Sequence, residues 1–491
     1  MNQLLEAMKK EDNFTFTENG GLTYKSTMSG LLDLFALGGA YRSRETEEKI
    51  KLFKKAYEED ATLAMKCLFY LRDVRGGQGE RSFFREVMKW LARNKTETAR
   101  KNLEFIPFFG RWDDLYTFID TPLQEDALNI MREQFWLDIE SMTPSLLGKW
   151  LKSENTSSQE SRRLGTITRK HFGLTAKEYR KALSALRERI KVVEKLMSEN
   201  RWDEIKFDKI PSKAGLIYSN AFARNDYTKE RYFNFINSKE TKVNTGTLYP
   251  CEVVNKVHKY GYYDSLEDAV VNKYWENLTD YFNNATFNGV AVVDTSGSMT
   301  SNYYSKINPI DVAISLGLYC AEKCGKDSPF YNHYISFSEK AKLIEIKGKT
   351  FADKVRNIYS ANLCENTNIQ SVFDLIVDTV KKYNVPKEEI PKNIIIISDM
   401  EFDAAQGLYS TNYSDLEYLM GQFVAATGVI PHLTFWNVNA RHDIIPTSPS
   451  PHTTFVSGYS PVLFEQILKE KSSLELVLDK LNNERYKDIK A

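Results

Sequence analysis

From about Ser29 to Val270, apolar residues recur at intervals of three and four, which is the spacing of amphipathic α-helices. The stripe between Lys177 and Met197, with lysines and arginines opposite, predicts the longest of these helices. Two polar stretches, Lys152 to Thr168 and Ser238 to Pro250, are predicted to be exposed loops. Helices joined by short loops favour an α-solenoid, although no fixed repeat period is visible.

After Asn284 the pattern changes to short apolar runs that alternate with amphipathic segments. The predicted strands are Gly289 to Val293, Phe330 to Phe337, Asn393 to Ser398, His432 to Val438 and Thr453 to Val456. The predicted helices are Ile310 to Lys323, Phe351 to Ile358, Ile369 to Lys382, Asp415 to Thr427 and Pro461 to Asn482. This alternation indicates a doubly wound α/β parallel sheet. The chain is therefore predicted to have two parts, an all-α helical module over residues 1–285 and an α/β domain over residues 286–491.

Composition favours a soluble protein in a reducing compartment. The chain has 491 residues, of which 27% are charged, and no apolar run reaches the length of about 18 residues that a membrane helix needs. The first residues lack the basic and apolar regions of a secretory signal. Five cysteines do not form a disulfide framework, and Cys320 and Cys324 are predicted to be buried small side chains. We expect a cytoplasmic protein with no membrane contact.

The charge is unevenly distributed although the net charge is zero. Residues 151–250 hold 21 basic and 12 acidic side chains. A basic face of this kind is the sequence-independent footprint of nucleic-acid binding. Charge alone favours the alternative, in which these side chains cover solvated helix faces.

A candidate metal site follows the first predicted strand. Asp294, Ser296 and Ser298 place one carboxylate and two hydroxyls on a tight turn at the end of that strand. Mg²⁺ prefers such oxygen ligands in near-octahedral geometry and keeps positions open for water. Thr367 and Asp399, each in another strand-end loop, add a hydroxyl and a second carboxylate. The sequence therefore predicts a site for Mg²⁺ or another divalent cation.

The alternative is that Asp294 and the serines cap the next helix. Glu401 and Asp403 are nearby carboxylates that could tune an ion, but the favoured interpretation makes them surface turn residues. His333 and His432 fall inside predicted strands, and no Gly-rich phosphate loop ends in Gly-Lys-Ser/Thr. Because no positioned base or second-metal cluster is apparent, the ion is predicted to bridge ligands rather than to catalyse a reaction.

Two glycine- and arginine-rich stretches mark the helical part, Arg72 to Arg81 and Phe108 to Leu115. Their arginines offer forked donors suited to phosphates. The plainer interpretation is an interhelical turn in which arginines pair with Asp73, Glu80 or Asp113.

Taken together, these stretches resemble the Ro ribonucleoprotein family, in which a ring of helical repeats, the TROVE module, precedes a von Willebrand factor A domain. The resemblance is closest to the bacterial, phage and plant branch of Ro-like proteins that carries a domain of unknown function. It rests on motifs spread over nearly the whole chain: Thr17-Glu18-Asn19-Gly20, Leu32 to Phe35, Arg72 to Arg81, Gly110 to Asp113, Pro211 to Ala214, Leu248 to Pro250, Asp294 to Ser298, Ser398 to Glu401 and Phe435 to Val438.

The resemblance implies a HEAT-like ring and a metal-ion-dependent adhesion site (MIDAS) in the A domain. It gives the metal-binding role to Asp294, Ser296, Ser298, Thr367 and Asp399. The loop before Thr367 lacks the Gly pair often found there, and Met400 follows Asp399 where many A domains have Gly. The implied RNA contacts are Lys149, Lys152, Arg162, Arg163, Arg169, Lys170, His171, Lys177, Arg180, Lys181 and Arg187.

The leading hypothesis is a non-enzymatic RNA-binding protein. It holds small or defective RNAs with single-stranded ends on a basic helical ring, and a Mg²⁺ site in the A domain docks a protein partner. The alternative is a protein-interaction scaffold with metal-dependent ligand binding and no nucleic acid. A metal-dependent nuclease or ATPase is the third and least favoured class.

Overall fold

A computed structural model describes residues 3–260, 265–283, 285–300, 307–337, 339–360, 366–406 and 413–491. The chain packs into two compact units. The first consists of Met1–Cys67 with Thr245–Glu484, and the second of Leu68–Asn244 with Arg485–Ala491. These units follow packing rather than chain order, so the first contains residues from both sides of the predicted boundary at 285/286.

The helices before the sheet domain are α1 Gln3–Asp12, α2 Gly30–Leu37, α3 Thr46–Glu59, α4 Ala61–Arg72, α5 Ser82–Asn94, α6 Thr96–Arg100, α7 Ile106–Phe109, α8 Gln124–Glu140, α9 Leu147–Trp150, α10 Gln159–His171, α11 Ala176–Arg189, α12 Val193–Ser198, α13 Ser212–Arg224, α14 Lys229–Asn237, α15 Pro250–Tyr260 and α16 Ser265–Glu276. Those that follow are α17 Pro309–Lys323, α18 Phe351–Ser360, α19 Gln370–Tyr383, α20 Asp415–Thr427, α21 Phe464–Ile467 and α22 Ser473–Leu481. The strands are β1 Phe14–Phe16, β2 Leu22–Tyr24, β3 Gly289–Asp294, β4 His333–Phe337, β5 Lys342–Glu345, β6 Asn393–Ser398, β7 His432–Asn437 and β8 Thr453–Ser457.

The C-terminal part carries a six-stranded sheet of order β5-β4-β3-β6-β7-β8, in which only the β4–β5 pair is antiparallel. The predicted combination of a mostly helical N-terminal part with a C-terminal α/β domain is confirmed. All five predicted strands form, and the edge strand β5 was missed. A short antiparallel hairpin, β1–β2, was also missed. The ring and the von Willebrand type of the sheet domain stay predictions.

The core of the first unit lies on both faces of the sheet. Every residue of β3, β6, β7 and β8 is buried, as expected of strands covered on both sides. The N-terminal helix α2 packs against β8, where Ser457 Oγ donates to the carbonyl of Phe35 and accepts from the amide of Gly39. Helix α2 and the turn that follows it thus belong to the same core as the sheet.

The second unit is helical, and two local predictions there are wrong. The predicted long helix from Lys177 to Met197 is divided into α11 and α12 by Lys191, whose φ is 48°. Apolar side chains are buried on both sides of this break. They are Leu183 and Leu186 in α11 and Val193 and Leu196 in α12. The predicted loop from Lys152 to Thr168 contains most of α10, whose first turn is capped by Ser158. Serines that suggest a loop therefore also serve to start a helix.

The Arg72 to Arg81 stretch is held by buried ion pairs. Arg72 donates from Nε and Nη2 to Asp114 over 2.9 and 2.7 Å, and both side chains are almost fully buried. Asp73 accepts from Arg485 and from the hydroxyl of Tyr486 near the C-terminus. Burial acts to raise the pKa of Asp73, but these hydrogen bonds and those from nearby backbone amides keep it below its usual value. The stretch is an ion-paired turn, but Arg72 pairs with Asp114 rather than with the predicted Asp73, Glu80 or Asp113. The predicted acceptor Asp113 pairs with Arg111 and Arg85.

Gly77 is predicted to be intolerant of a side chain. A Cβ at this position would lie 1.9 Å from the backbone oxygen of Tyr70, which cannot move aside as a flexible side chain would. We expect Gly77→Ala to lower the free energy of unfolding by about 1–3 kcal/mol, as overpacking does. Urea denaturation measures this loss. The control Gly246→Ala, where a Cβ meets no atom within 4 Å, is expected to change stability by less than about 0.5 kcal/mol.

Cys320 and Cys324 are buried, as predicted, and both are free thiols. Among the described residues, no helix combines the length and the apolar character that crossing a bilayer would require.

Candidate functional site

Two loops meet at the carboxyl edge of the sheet, where its strand order changes direction. In the parallel pair of β3 and β6, Val293 is opposite Ile397, so the ends of the two strands lie side by side. Asp294 ends the first strand, and its carboxylate accepts a hydrogen bond from the hydroxyl of Ser398 at the end of the second. Ligand sites in open α/β sheets form at such switch points.

The first loop turns its oxygens toward one another. The amide of Ser296 donates to Asp294 Oδ1 over 2.9 Å, and the hydroxyls of Ser296 and Ser298 are 3.1 Å apart. A short 3-10 helix, Gly297–Thr300, follows the turn directly, and the next α-helix, α17, starts after Asn308, whose side chain forms the capping box. Capping of α17 therefore does not explain Asp294 and the serines.

Asp399 and Thr367 lie at the same edge. Asp399 follows β6 directly and is fully buried, and the nearby Ser298 side chain acts to lower the pKa of its carboxyl. Thr367 is buried in the loop before α19, and its carbonyl accepts from the amide of Asp403 over 3.0 Å. These contacts thus place Asp399 beside the Asp294 turn and Thr367 beside the segment that follows β6. Cys364 and Glu365, which precede Thr367 in the sequence, lie outside the described residues.

The electrostatics of this edge favour a bound cation. Burial, and then the proximity of Asp399, raises the pKa of Asp294 to about 7, although hydrogen bonds from Ser296 and Ser398 oppose the shift. Burial also raises the pKa of Asp399, partly offset by Arg441. Two buried carboxylates that repel each other are stabilised by a proton or a positive ion between them.

The donor set fits a hard divalent cation. Asp399 Oδ2 is buried and makes no hydrogen bond among the described residues. The guanidinium of Arg441 lies 3.2 Å from it, close enough for an ion pair but outside hydrogen-bond geometry. Two carboxylates and three hydroxyls, with no nitrogen or sulfur, form the kind of ligand set that Mg²⁺ prefers.

The loop at the tip of the β1–β2 hairpin, Thr17 to Gly21, lies on this edge. Thr17 Oγ1 donates to the carbonyl of Phe402 over 2.6 Å, and Asn19 Nδ2 donates to Thr367 Oγ1 over 3.3 Å and to the carbonyl of Glu401. We call this segment the hairpin loop. Sequence reasoning did not assign it to the site, although its Thr17-Glu18-Asn19-Gly20 motif contributed to the family resemblance.

Three further charged residues were missed or misread. Glu401, expected on the surface, is fully buried, and its carboxylate accepts from His442 Nδ1 and from the amide of Glu18, each over 2.7 Å. Arg441 pairs with both Glu18 and Asp399. Arg441 and His442 follow β7, the next parallel strand of the sheet, and this position is the signal that could have identified them.

Met400 adopts φ 68°, in the left-handed region that favours glycine. The same position is the one at which many A domains have Gly after the aspartate. Its side chain is buried, which offsets part of the backbone cost of order 1–3 kcal/mol. Met400 therefore has the left-handed backbone conformation that glycine adopts readily, although its side chain differs from the Gly of many A domains.

In the second unit, an open groove of about 580 Å³ lies beside α11. Its lining includes Lys149, Arg180 and Arg187 among the predicted RNA contacts, and also Lys195 and the acidic Glu194. A second pocket of about 390 Å³, lined by Lys149, Trp150, Lys152 and Asn155, shares residues with the first. We call the two together the basic groove.

The exposed face of α11 carries cations whose side chains have no partner among the residues that the structure describes. Lys177, Arg180 and Lys181 are exposed, and none makes a hydrogen bond or an ion pair with the described residues. Their spacing of three and four residues places them on one side of the helix. We call these three residues the α11 stripe.

Most of the other predicted contacts already have partners. Arg187 donates to the carbonyls of Gly148 and Leu151 and to Ser153 Oγ, so its guanidinium joins α9 to α11. The remaining pairs are Arg162 with the carbonyls of Thr156 and Ser157, Arg163 with Asp120 and Glu160, Arg169 with Glu154, His171 with Asn129 and Glu125, and Lys149 with Glu194 at 3.7 Å. Lys170 is exposed, with its charge near Glu154.

Aromatic side chains near the groove divide into two roles. Tyr179 is buried, and its hydroxyl donates to the carbonyl of Lys152, so it packs in the core. Trp150 is half-buried at the groove, with the Arg111 guanidinium 4.0 Å from its ring. Of the two, only Trp150 offers part of its ring surface to a ligand.

Comparison with known proteins defines the class of this chain. Residues 17–163 and 138–286 match the family described as domain of unknown function DUF2828, and residues 288–490 match a second one, DUF7788. The first match covers more than half of the chain, so the chain belongs to the DUF2828 family. It is 30% identical over 475 residues to "Uncharacterized protein L728" of Acanthamoeba polyphaga mimivirus, an alignment that covers 88% of this chain and 80% of the relative.

Among solved structures, the chain is similar to the Ro (RSR) protein of Deinococcus radiodurans. The superposition covers 94% of this chain and all of the other, with 13% sequence identity and a TM-score of 0.38. A TM-score this low carries no argument about the ring, the A domain or RNA.

Proposed function

We propose that this protein binds RNA through the basic groove and the α11 stripe, and that the Asp294 edge binds Mg²⁺ to dock a protein partner. The observation that carries the RNA proposal is the α11 stripe, because three exposed cations without protein partners border a groove lined by further basic residues and Trp150. Unpaired cations attract phosphates, and an accessible ring can stack on an unpaired base.

The family resemblance in the sequence supports the same proposal. It extends over nearly the whole chain and implies binding of small or defective RNAs with single-stranded ends. The proposed role is to hold RNA, without a catalytic step.

Direct binding tests this role. A fluorescently labelled structured RNA with a single-stranded 3′ end is expected to raise its anisotropy when the full-length protein is added at low salt. If about six phosphates are contacted, affinity falls about a thousandfold between about 50 and 200 mM salt. Protein that is purified free of nucleic acid and fails to bind this RNA at low salt would contradict the proposal.

The proposed cation ligands are Asp294, Ser296, Ser298, Thr367 and Asp399. When bound, Mg²⁺ would supply positive charge and open coordination positions at this edge. Asp294 and Asp399 would hold the ion from the ends of β3 and β6, and Ser298 is partly accessible to solvent beside exposed Gly297. A partner carboxylate would approach from the side of Gly297 and Ser298, because the hairpin loop covers Thr367.

Mg²⁺ is expected to stabilise the wild-type protein. At a concentration 100 times its dissociation constant, it should raise the free energy of unfolding by about 2.7 kcal/mol. Asp294→Ala should remove this stabilisation, because it deletes a carboxylate ligand. The matched control Asp378→Ala, at an exposed position of α19, should keep it. Thermal melting with and without Mg²⁺ measures the effect, and equal Mg²⁺ stabilisation of wild type and Asp294→Ala would rule out this site.

A metal-dependent protein scaffold without nucleic acid is a second candidate, favoured by the oxygen-rich Asp294 edge. It predicts Mg²⁺-dependent capture of an acidic partner peptide that nuclease treatment does not change. The RNA proposal instead predicts that complexes recovered from cells lose components when treated with nuclease.

A further inference from the structure

A second group of metal-type ligands lies beside the Asp294 edge. Glu18, Glu401 and His442 each offer one ligand atom, and these atoms lie within 4.8 Å of one another. They come from the hairpin loop, the segment after β6 and the segment after β7, so only the folded chain brings them together. We propose that these three side chains bind a divalent transition-metal ion that fastens the hairpin loop to the sheet.

The geometry is close to that of a metal centre. Bonds of about 2.1 Å in a tetrahedral site place the ligand atoms about 3.4 Å apart. Glu401 Oε1 and His442 Nδ1 are already 2.7 Å apart, with a hydrogen between them in the place that an ion would take. The side chains of Glu18 and His442 are 49% and 57% exposed. Packing therefore leaves room for the small rotations that would bring their ligand atoms to the tetrahedral spacing.

The ligand chemistry differs from that of the Asp294 edge. One imidazole nitrogen with two carboxylates suits Zn²⁺, Co²⁺ or Mn²⁺, whereas Mg²⁺ prefers oxygen alone. Because its three ligands are separate from those proposed for Mg²⁺, the new site does not depend on the proposed function.

The local charge balance points the same way. Asp294, Asp399 and Glu401 are fully buried carboxylates, and Glu18 adds a fourth. The cationic groups paired with them are Arg441 and, when protonated, His442. Buried carboxylates in excess of nearby cations favour the binding of positive ions.

A buried carboxylate oxygen beside this group has no hydrogen-bond partner among the described residues. Asp399 Oδ2 lies 3.2 Å from the Arg441 guanidinium, and another nitrogen of the same guanidinium pairs with Glu18. Arg441 thus sits between the two carboxylates as the protein's own cation. An ion held by Glu18 would take over the charge compensation that Arg441 now shares between them.

The consequence is a metal-dependent attachment of the hairpin loop. The loop reaches the sheet through Thr17, Glu18 and Asn19, and Asn19 contacts the hydroxyl of Thr367. An ion on Glu18 would therefore hold the loop over one side of the Asp294 edge.

The test uses full-length protein without a histidine tag and Co²⁺ alone as the probe. Asp294→Ala, which disables the other candidate site, is expected to keep one equivalent of Co²⁺ with a visible absorption band. In that background, His442→Ala and Glu18→Gln are each expected to weaken Co²⁺ binding at least about tenfold. The matched controls are His452→Ala and Glu465→Gln, both at exposed positions outside the group, and they are expected to bind as the parent does.

The outcomes separate the two sites. The proposal is overturned if His442→Ala binds Co²⁺ as tightly as its parent, or if Asp294→Ala alone removes all binding. If Mg²⁺ does not stabilise the wild-type protein while Co²⁺ binding depends on Glu18 and His442 as expected, only the proposed Mg²⁺ site is rejected. Near-ultraviolet circular dichroism checks the fold of each variant, and the partial exposure of Glu18 and His442 means that neither substitution opens the core.

Discussion

Reversing the charge of the α11 stripe, with Lys177→Glu, Arg180→Glu and Lys181→Glu combined, is expected to reduce RNA affinity at least about 100-fold at low salt. Within the described part of the chain these side chains have no partner to lose, so the change is expected to act on ligand binding rather than on the fold. Each phosphate contact on a single strand contributes about 0.7 to the slope of log affinity against log salt. Loss of three contacts should therefore lower that slope by about 2, as measured by anisotropy titrations at several salt concentrations.

The control for this variant changes net charge by the same amount elsewhere. The control residues are three exposed lysines outside the basic groove. Two lie in the last turn of α19, Lys381 and Lys382, and Lys387 follows the helix. Their combined change to Glu is expected to leave the salt slope unchanged and to lower affinity only slightly. Equal losses in both triple variants would show that binding follows net charge alone, and an unchanged affinity in the α11 variant would remove the groove from the RNA-binding surface.

Asp114→Ala is expected to lower the free energy of unfolding by about 3–5 kcal/mol, the cost of breaking a buried ion pair from one side. Asp114 is fully buried and accepts from Arg72, from Arg85 Nε over 2.6 Å and from the amide of Arg111 over 2.8 Å. Its loss leaves Arg72, only 2% exposed, without its carboxylate. Urea denaturation followed by circular dichroism measures the change.

The control for Asp114 is an exposed ion pair in the same unit. Asp226 and Lys229 are 2.7 Å apart, with side chains 86% and 57% exposed. Asp226→Ala should cost less than about 1 kcal/mol, because solvent screens such a pair. A cost for Asp114→Ala as small as this would mean that the arginines around it find other acceptors.

The ion pairs around Asp114 and Asp73 decide which basic residues are suitable for substitution in a test of RNA binding. The arginines of the Arg72 to Arg81 stretch are the type of residue that binds phosphates. Arg72, however, is buried and forms an ion pair with Asp114. Substituting Arg72 would break this buried pair and lower stability, so any change in RNA affinity would not report on a phosphate contact. The α11 stripe is therefore the better target, because its residues are exposed and unpaired.

Local signals predicted two elements to the residue. The bounds of α20, Asp415–Thr427, match the prediction because Ser414 forms a capping box with Glu417 and Gly428 ends the helix with φ 67°. Strand β6 also matches, since an unbroken isoleucine run between polar residues suits a fully buried strand. Where the pattern was ambiguous, as at Lys191 or Ser158, a single turn or cap decided the outcome.

Part of the candidate site followed from the same local logic. Asp294 and Asp399 each end or follow a predicted strand, and the carboxyl ends of neighbouring parallel strands meet at one edge of a sheet. Glu18 and Asn19 did not follow from it, because the hairpin loop meets the segment after β6 across more than 380 residues of chain. Nothing in the local pattern of Glu18 distinguishes it from an exposed turn residue.

The sequence alone determined the order of helices and strands, the change from a helical to an α/β part, and the residue types that a cation and RNA would require. Periodicity and capping act within a few residues along the chain, so they can be read without a structure. Only the tertiary structure decided which charged side chains bind other groups of the protein, as Arg72 and Arg187 do. It also decided which ones have no partner among the described residues, as on the exposed face of α11. Packing brings distant segments together, and the choice of partner for each charge is made there.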